Sequence, residues 1–373
     1  MSLNPDTYQR LEIKPLINAN GYITTMGGSI MPDSVVEAMV QASRHYIPLN
    51  TLHAQVSARI AELTGAESAF VCAGAASGLL LAGAACLTGT DAGRIQRLPQ
   101  TDNPCNEFVI SLVDPHYYVH QGFQLCGGKL VKVGTREAVT PADYQAAIGE
   151  HTAAAVFFLG RQPKQELGPV IDVAHAADVP VIVDAADQVP PRTNLTELTG
   201  RGADLVVFSG GKGLRGPQCT GLILGRKDLV EACRLNSSPH SAMGRGMKVG
   251  KEEIAGLLAA VELFMSQDED AVIAEWERRC RHIGAAVEDI EGLKLEYHPP
   301  FSLPIPPGAP RLDIHFDAAA PLSARDTLKA LEAGDPSIMA GGGDDRLRIS
   351  THPLQDGEAE IIARRLGEIL RGS

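Results

Sequence analysis

The sequence predicts an α/β domain carried by a mostly parallel sheet of seven strands, followed by a smaller α+β domain. Three observations lead there. Seven short apolar runs recur between residues 67 and 224, most of them apolar throughout rather than at alternate positions. Stretches with helical spacing lie between many of these runs. Beyond Lys251 the texture changes to one long, charged helical region. Strands that are apolar throughout are buried on both faces, the condition of a parallel sheet covered by helices.

In chain order, helical patterns over 35–46 and 53–64 lead into the first run, 67–72. A helical stretch at 75–87 precedes runs at 107–112, 129–133 and 153–159. Another at 170–177 precedes runs at 179–184, 204–209 and 220–224. The second part opens with the helical region 252–290, which carries the single tryptophan, Trp276, and continues through a proline-rich, irregular stretch at 297–310. It closes with a strand at 311–316, a helix near 322–331, a strand at 346–350 and a helix at 355–370. The expected division is a large domain over 1–250, including the N-terminal segment, and a small domain over 251–373.

The formal net charge is −12 over 373 residues, with lysine and arginine scattered. No basic face invites a nucleic-acid backbone, so no nucleic-acid partner is expected. The seven cysteines are odd in number and lack paired Cys-x-x-Cys spacing, which reads as buried thiols in a reducing compartment. The N-terminus has no basic region followed by an apolar core, and no apolar run approaches the ~20 residues that span a bilayer. A soluble, cytoplasmic protein without a membrane partner is the expectation. The histidines are dispersed, so no metal site is expected.

The chemistry centres on Lys212. It stands in Ser209-Gly210-Gly211-Lys212-Gly213, after one buried strand and shortly before another. A lysine in such a glycine-rich turn is held near the core and is open to partial desolvation, which makes its amine nucleophilic. Upstream, the run 179–184 ends in Asp184, followed by Asp187 and Gln188. Pyridoxal phosphate chemistry needs this pair: a lysine to hold the aldehyde as a Schiff base and a carboxylate to keep the pyridine nitrogen protonated. Without the acid-ended strand, Ser-Gly-Gly-Lys reads as a surface turn.

With these motifs in place, the chain resembles the fold type I pyridoxal phosphate enzymes, and among them the selenocysteine synthase-like group, which includes seryl-tRNA selenium transferase and D-glucosaminate-6-phosphate ammonia-lyase. The likeness runs through Ile17-Asn-Ala-Asn-Gly-Tyr22, Met26-Gly-Gly-Ser-Ile-Met-Pro32, Ile60-Ala-Glu-Leu-Thr-Gly-Ala-Glu67, Cys72-Ala-Gly-Ala-Ala-Ser-Gly78, the two motifs above and Gly244-Arg-Gly-Met-Lys-Val-Gly-Lys-Glu-Glu253.

The resemblance implies roles. The loop at 72–78 follows a strand and opens a helix, so its N–H groups face a bound anion; Gly74, Ala75 and Ala76 are the expected backbone contacts of the cofactor phosphate, with Ser77 as a hydroxyl donor. Ser209 adds to the same phosphate site. His116 corresponds by position to the residue that stacks on the cofactor ring, with Tyr117 and Tyr118 as alternatives in a shifted register. Asp184, which directly ends its strand, faces the pyridine nitrogen in preference to Asp187, and the departure from the related pattern at 187–188 either places Gln188 on the phenolic oxygen or puts an extra acid, Asp187, beside the substrate. Related enzymes place a carboxylate-gripping arginine where Arg348 begins a late strand, and a guanidinium fork suits that task; Arg346 competes, being on the same face. Arg215 and Gln218 are further candidates for the substrate pocket. Because the fold builds its sites at subunit boundaries, His240, Arg245 and Lys248 are candidates to reach a neighbour's site in a homodimer or larger homo-oligomer.

The implied reaction is a lyase reaction: elimination of water from a hydroxylated amino acid substrate, yielding a 2-keto acid and ammonia. Aminotransferase or racemase chemistry is the alternative. Selenium transfer onto seryl-tRNA ranks behind, since the helical path begins close to the N-terminus and the charge is acidic. A non-catalytic cofactor-binding protein ranks last, because cofactor binding alone does not call for Arg348.

Overall fold

The computed structural model describes residues 7–372. Twelve strands run in chain order: β1 Leu16–Ala19, β2 Ser68–Cys72, β3 Glu107–Ser111, β4 Lys129–Val133, β5 Thr152–Phe158, β6 Val181–Asp184, β7 Leu205–Ser209, β8 Gly221–Gly225, β9 Leu293–His298, β10 Arg311–Phe316, β11 Ser337–Gly342 and β12 Arg346–Ser350. The chain divides into two units, Gly28–Gln267 and Met1–Gly27 with Asp268–Ser373.

In the first unit seven strands form one sheet in the order β2-β8-β7-β6-β5-β3-β4. β8 runs antiparallel to both its neighbours, and the other strand pairs are parallel. All seven expected strands are present. The reason is visible in the burial: every residue of β5 is buried, and successive residues enter opposite cores. Val109, Phe157 and Val206 join the cluster that contains Val56, Leu167 and Leu257, while Ile110, Val156 and Val207 join the one that contains Leu79, Leu81 and Phe123. Alternate side chains of a strand point to opposite faces, so two-sided burial demands the unbroken apolar runs.

Helix Ala75–Thr88 is apolar on nearly all sides because it lies between the sheet and the helices Tyr117–Leu125 and Lys227–Asn236. On the other face, helix Lys251–Ser266 packs on helices Asp33–Ser43 and Leu49–Thr64. That packing corrects the expected boundary at 250. The expected helix over 252–290 is two helices, Lys251–Ser266 and Glu269–Ala285, and the units part between Gln267 and Asp268. Asp268 caps the second helix by accepting from the Ala271 N–H at 3.1 Å.

The second unit holds a five-stranded sheet ordered β1-β11-β12-β10-β9, larger than the two or three strands expected. β10 and β12 lie where the sequence places them. β1, β9 and β11 were not anticipated, and part of the stretch taken as irregular, up to His298, is strand. β1 pairs in parallel with β11, from Leu16↔Ser337 to Ala19↔Ala340, which ties the N-terminal segment to this unit. Among the described residues no helix is long and apolar enough to cross a membrane.

Candidate active site

β7 and β2 run parallel, with β8 reversed between them, so Cys72 and Ser209 both pair with Gly221 at one edge of the sheet. The carboxyl ends of β3, β5 and β6 open on the same edge. Loops at the carboxyl ends of parallel strands are where such sheets place their ligands.

The turn after β7 is closed by three backbone bonds: Gly210 N–H to the Thr220 carbonyl at 2.8 Å, Gly216 N–H to Gly210 at 2.8 Å, and Arg215 N–H to Lys212 at 2.9 Å. A Cβ at Gly213 would sit on the Val189 carbonyl oxygen, so only glycine lets the turn lie this close to the loop after β6. Lys212 is thereby aimed at that loop, with its Nζ 3.9 Å from Asp187 Oδ2 and its side chain 28% exposed.

Asp184 ends β6, and its Oδ1 accepts from the Ala186 N–H at 3.0 Å. Burial pushes its carboxyl up to about 6, with the Asp114 charge adding and Lys212 and His116 opposing. Burial also raises Asp187, against the opposing charges of Lys212 and Arg161. A part-buried carboxyl with a single protein hydrogen bond has capacity for a cationic N–H partner, which is what a protonated pyridine nitrogen supplies.

His116 stands at the start of helix Tyr117–Leu125. Its Nδ1 lies 2.6 Å from Asp114 Oδ1, and its backbone N–H donates to Asp114 Oδ2 at 3.2 Å. The imidazole is exposed, and the Tyr118 ring lies 5.4 Å away. Asp114 is buried and serves as the anchor of His116. Sequence reasoning passed over it, although an acid two residues before the histidine was there to find.

Gly74 takes φ +86°, a left-handed conformation, and starts the fourteen-residue helix Ala75–Thr88 without a side-chain cap. Its carbonyl accepts from Gly78, and the Ala75, Ala76 and Ser77 N–H groups are left without a backbone partner among the described residues. This is an anion cradle. Ser209, at the end of β7, is separated from Cys72 only by β8, about 10 Å across two strand spacings. The lysine, the acid, the histidine and the cradle therefore fit pyridoxal phosphate.

Arg215 and Gln218 stand in the turn that holds Lys212, with the Gln218 backbone packed against Gly211. Gln188 is 4% exposed, and its backbone carbonyl accepts from Asn194 Nδ2 at 2.6 Å, while Asp187 beside it stands 3.9 Å from the Lys212 Nζ. Arg215 donates from Nε to the Ile30 carbonyl at 3.2 Å, turning its guanidinium to that loop, and Gln218 is exposed. His240 Nε2 lies 2.9 Å from Arg234 Nη1, which is paired with Glu231. Arg245 and Lys248 are exposed and make no ion pair among the described residues. Arg348 belongs to the second unit. There Asp313, fully buried, gathers Arg311 in a two-point contact, Arg346 at 3.4 Å and Arg348 Nε at 3.8 Å.

Sequence reasoning also missed a cleft of about 610 Å³ at the ends of β3, β4 and β5, lined among others by Asp114, His120, Lys132, Arg136 and Arg161. The cations come from the ends of two strands, β4 and β5, that β3 separates in the sheet, so no local motif announces them. All seven cysteines are free.

Known proteins resemble this chain over its whole length. The L-seryl-tRNA selenium transferase family matches residues 116–275. A 5'-C-glycyluridine monooxygenase-decarboxylase from a Streptomyces species is 34% identical, covering 97% of this chain and 92% of the relative. D-Glucosaminate-6-phosphate ammonia lyase of Salmonella typhimurium is 29% identical over 98% of each. A solved structure of D-glucosaminate-6-phosphate ammonia-lyase superposes with a TM-score of 0.82 at 27% identity, covering 99% of both chains.

Proposed function

The chain belongs to the selenocysteine synthase-like family of fold type I pyridoxal phosphate enzymes, and from that premise we propose that it is an ammonia-lyase, removing water from a hydroxylated amino acid to leave a 2-keto acid and ammonia. The observation that carries the reading is the convergence of Lys212, Asp184, His116 and the Gly74 cradle on one edge of the sheet. Lys212 would hold the cofactor aldehyde, Asp184 its ring nitrogen, His116 a ring face, and the Ala75, Ala76 and Ser77 N–H groups with Ser209 its phosphate. When bound, the cofactor supplies an electron sink for the pair left at the substrate α-carbon.

Lys212 takes the α-proton once its amine is released, and Asp187 at 3.9 Å steadies the ammonium that results. The same ammonium returns its proton to the departing β-hydroxyl, which leaves as water. The enamine so formed takes up water and releases ammonia, so the sum is one hydroxy amino acid to one keto acid and one ammonia. The exposed cations Arg245 and Lys248 suit a homo-oligomer in which they reach a neighbour's anionic groups. The free cysteines suit a reducing cytoplasm.

The test is an absorption spectrum of cofactor-loaded protein, scanned with D- and L-hydroxy amino acids while keto acid and ammonia are measured. A shifting band with both products supports the lyase. A shifting band without ammonia redirects the assignment to transamination or racemisation. A second reading, oxidative decarboxylation, is favoured by the 34% identity to the Streptomyces enzyme; oxygen uptake with carbon dioxide release from the same panel would select it.

A further inference from the structure

We infer that the groove beside β2 is a second ligand site, separate from the cofactor site, and that it takes a small organic acid by its carboxylate with the apolar body of the acid lying along the groove. β2 is the last strand at its end of the seven-stranded sheet. Helix Leu49–Thr64 covers one face there with Val56 and Ile60, and helix Lys227–Asn236 the other with Leu229 and Val230. Among the described residues no further strand pairs with β2, so the space between the two helices is left as a groove of about 680 Å³ along Glu67 to Phe70. The Gly74 cradle lies beyond the carboxyl end of β2, and the cation cleft is four to six strand spacings across the sheet, about 19–29 Å. The groove selects its ligand by its own chemistry, whatever reaction Lys212 carries out.

His53 marks one end. It is 2% exposed and lines the groove, its ring stacks on Phe70 with centroids 5.0 Å apart, and neither ring nitrogen has a hydrogen-bond partner among the described residues. Buried polar groups are nearly always paired, so a ring nitrogen orphaned beside a cavity takes its partner from within it. Burial, with the Arg234 and His240 charges adding, pulls the imidazole down to about 4, so it is neutral and keeps one N–H to donate. Arg234 engages Glu231 through Nε and Nη2 at 2.8 and 2.6 Å, and its Nη1 stands 2.9 Å from His240 Nε2. An arginine only donates, so His240 accepts there and carries its own proton on Nδ1. Helix Leu49–Thr64 also starts at this end, with Pro48 as its cap and no side-chain acceptor for its first N–H groups, and Asn50 of that turn lines the groove.

Donors therefore gather at the His53 end, while the carboxylate there, Glu231, is already held by Arg234. Such an end calls for an acceptor. The charged residues lining the groove are Glu67, Lys227, Glu231 and Arg234, two of each sign, so no net positive charge offsets the desolvation of a phosphate dianion. A carboxylate brings a single charge and two acceptor oxygens, which suit the His53, His240 and Arg234 donors. Between the ends the walls are Ala54, Ala58, Ala61 and Val230, which favour an aliphatic chain over a polar one.

The test is calorimetric binding of hexanoate, hexanamide, acetate and hexyl phosphate to cofactor-loaded protein; none of the four has an amine to react with the cofactor. One hexanoate should bind per chain, at least ~10-fold tighter than each of the others. His53→Phe keeps a ring against Phe70 and should weaken hexanoate by ~10-fold or more. Ala58→Trp, at an exposed position on the groove wall, should abolish its binding without changing the melting temperature. Both variants should keep the absorption band of the bound cofactor. Absence of hexanoate binding, equal affinity for the amide, tighter binding of the phosphate, or full affinity in either folded variant overturns the inference. So does binding that is lost in Arg348→Ala and kept in Ala58→Trp, which would put the acid in the substrate site.

Discussion

Asp184→Asn separates what the fold prefers from what the chemistry needs. In the cofactor-free protein, burial holds the Asp184 carboxyl at about 6 against an ordinary 3.8. The folded protein binds this proton more tightly than the unfolded chain, so stability falls as pH rises from 3.8 towards 6 and stays at the lower level above it. At about 1.4 kcal/mol per tenfold change in proton affinity, the ionised carboxylate costs the empty fold about 3 kcal/mol at pH 8 and about 1 kcal/mol at pH 4.5. Asparagine has nearly the same shape and no charge. Without cofactor, the variant should therefore melt about 4 °C above the parent at pH 8, with the gap narrowing by about two-thirds at pH 4.5. With cofactor the order should reverse, because a ligand that binds only the folded state stabilises it in proportion to its affinity, and losing the charged partner of the ring nitrogen should weaken binding by about 100-fold or more. Thermal unfolding at two pH values, with and without cofactor, reads all four cases. A variant less stable than the parent when empty at pH 8 would refute the burial argument, and one that keeps cofactor and ammonia release would refute the assignment of Asp184.

Other perturbations bear on the remaining parts. Lys212→Ala should abolish the absorption band of lysine-held cofactor and lower turnover by about 10³-fold or more, with little change in melting temperature, since the side chain is only part-buried and its one ion pair is 3.9 Å long. Asp114→Asn removes the charged partner 2.6 Å from His116 Nδ1; kcat/KM should fall about 10-fold or more, a loss of about 1.5–3 kcal/mol from one charge-assisted bond. Gly74→Ala forces a side chain into φ +86°, ψ 157°, a region essentially restricted to glycine, which should cost about 1–3 kcal/mol in unfolding and weaken cofactor binding in a titration. Phe157→Ala, fully buried near the end of β5 with its side chain in the core, should destabilise by about 3–5 kcal/mol while leaving activity intact at low temperature.

What the sequence determined by itself is whatever local physics writes along the chain. β5 and β7 announced themselves because both their faces meet apolar helices, and Lys212 and the Gly74 loop only in combination with the acid-ended strand at Asp184, since each glycine-rich turn by itself reads as a surface or packing turn. β9 carries mixed, partly exposed residues, β11 ends in glycines, and β1 gains its place only by pairing with β11 more than 300 residues away. Propensity is weak in all three, and tertiary pairing decides them. The same holds within the site. Asp187 and Gln188 are neighbours in sequence, yet the close packing of Gly213 under Val189 brings one to the lysine, while the other is buried beside Asn194. Asp114 became the anchor of His116 through a local turn. The cation cleft exists only because β3, β4 and β5 lie side by side, and which side chains meet across a sheet is fixed by strand order, a property that no single stretch of the chain contains.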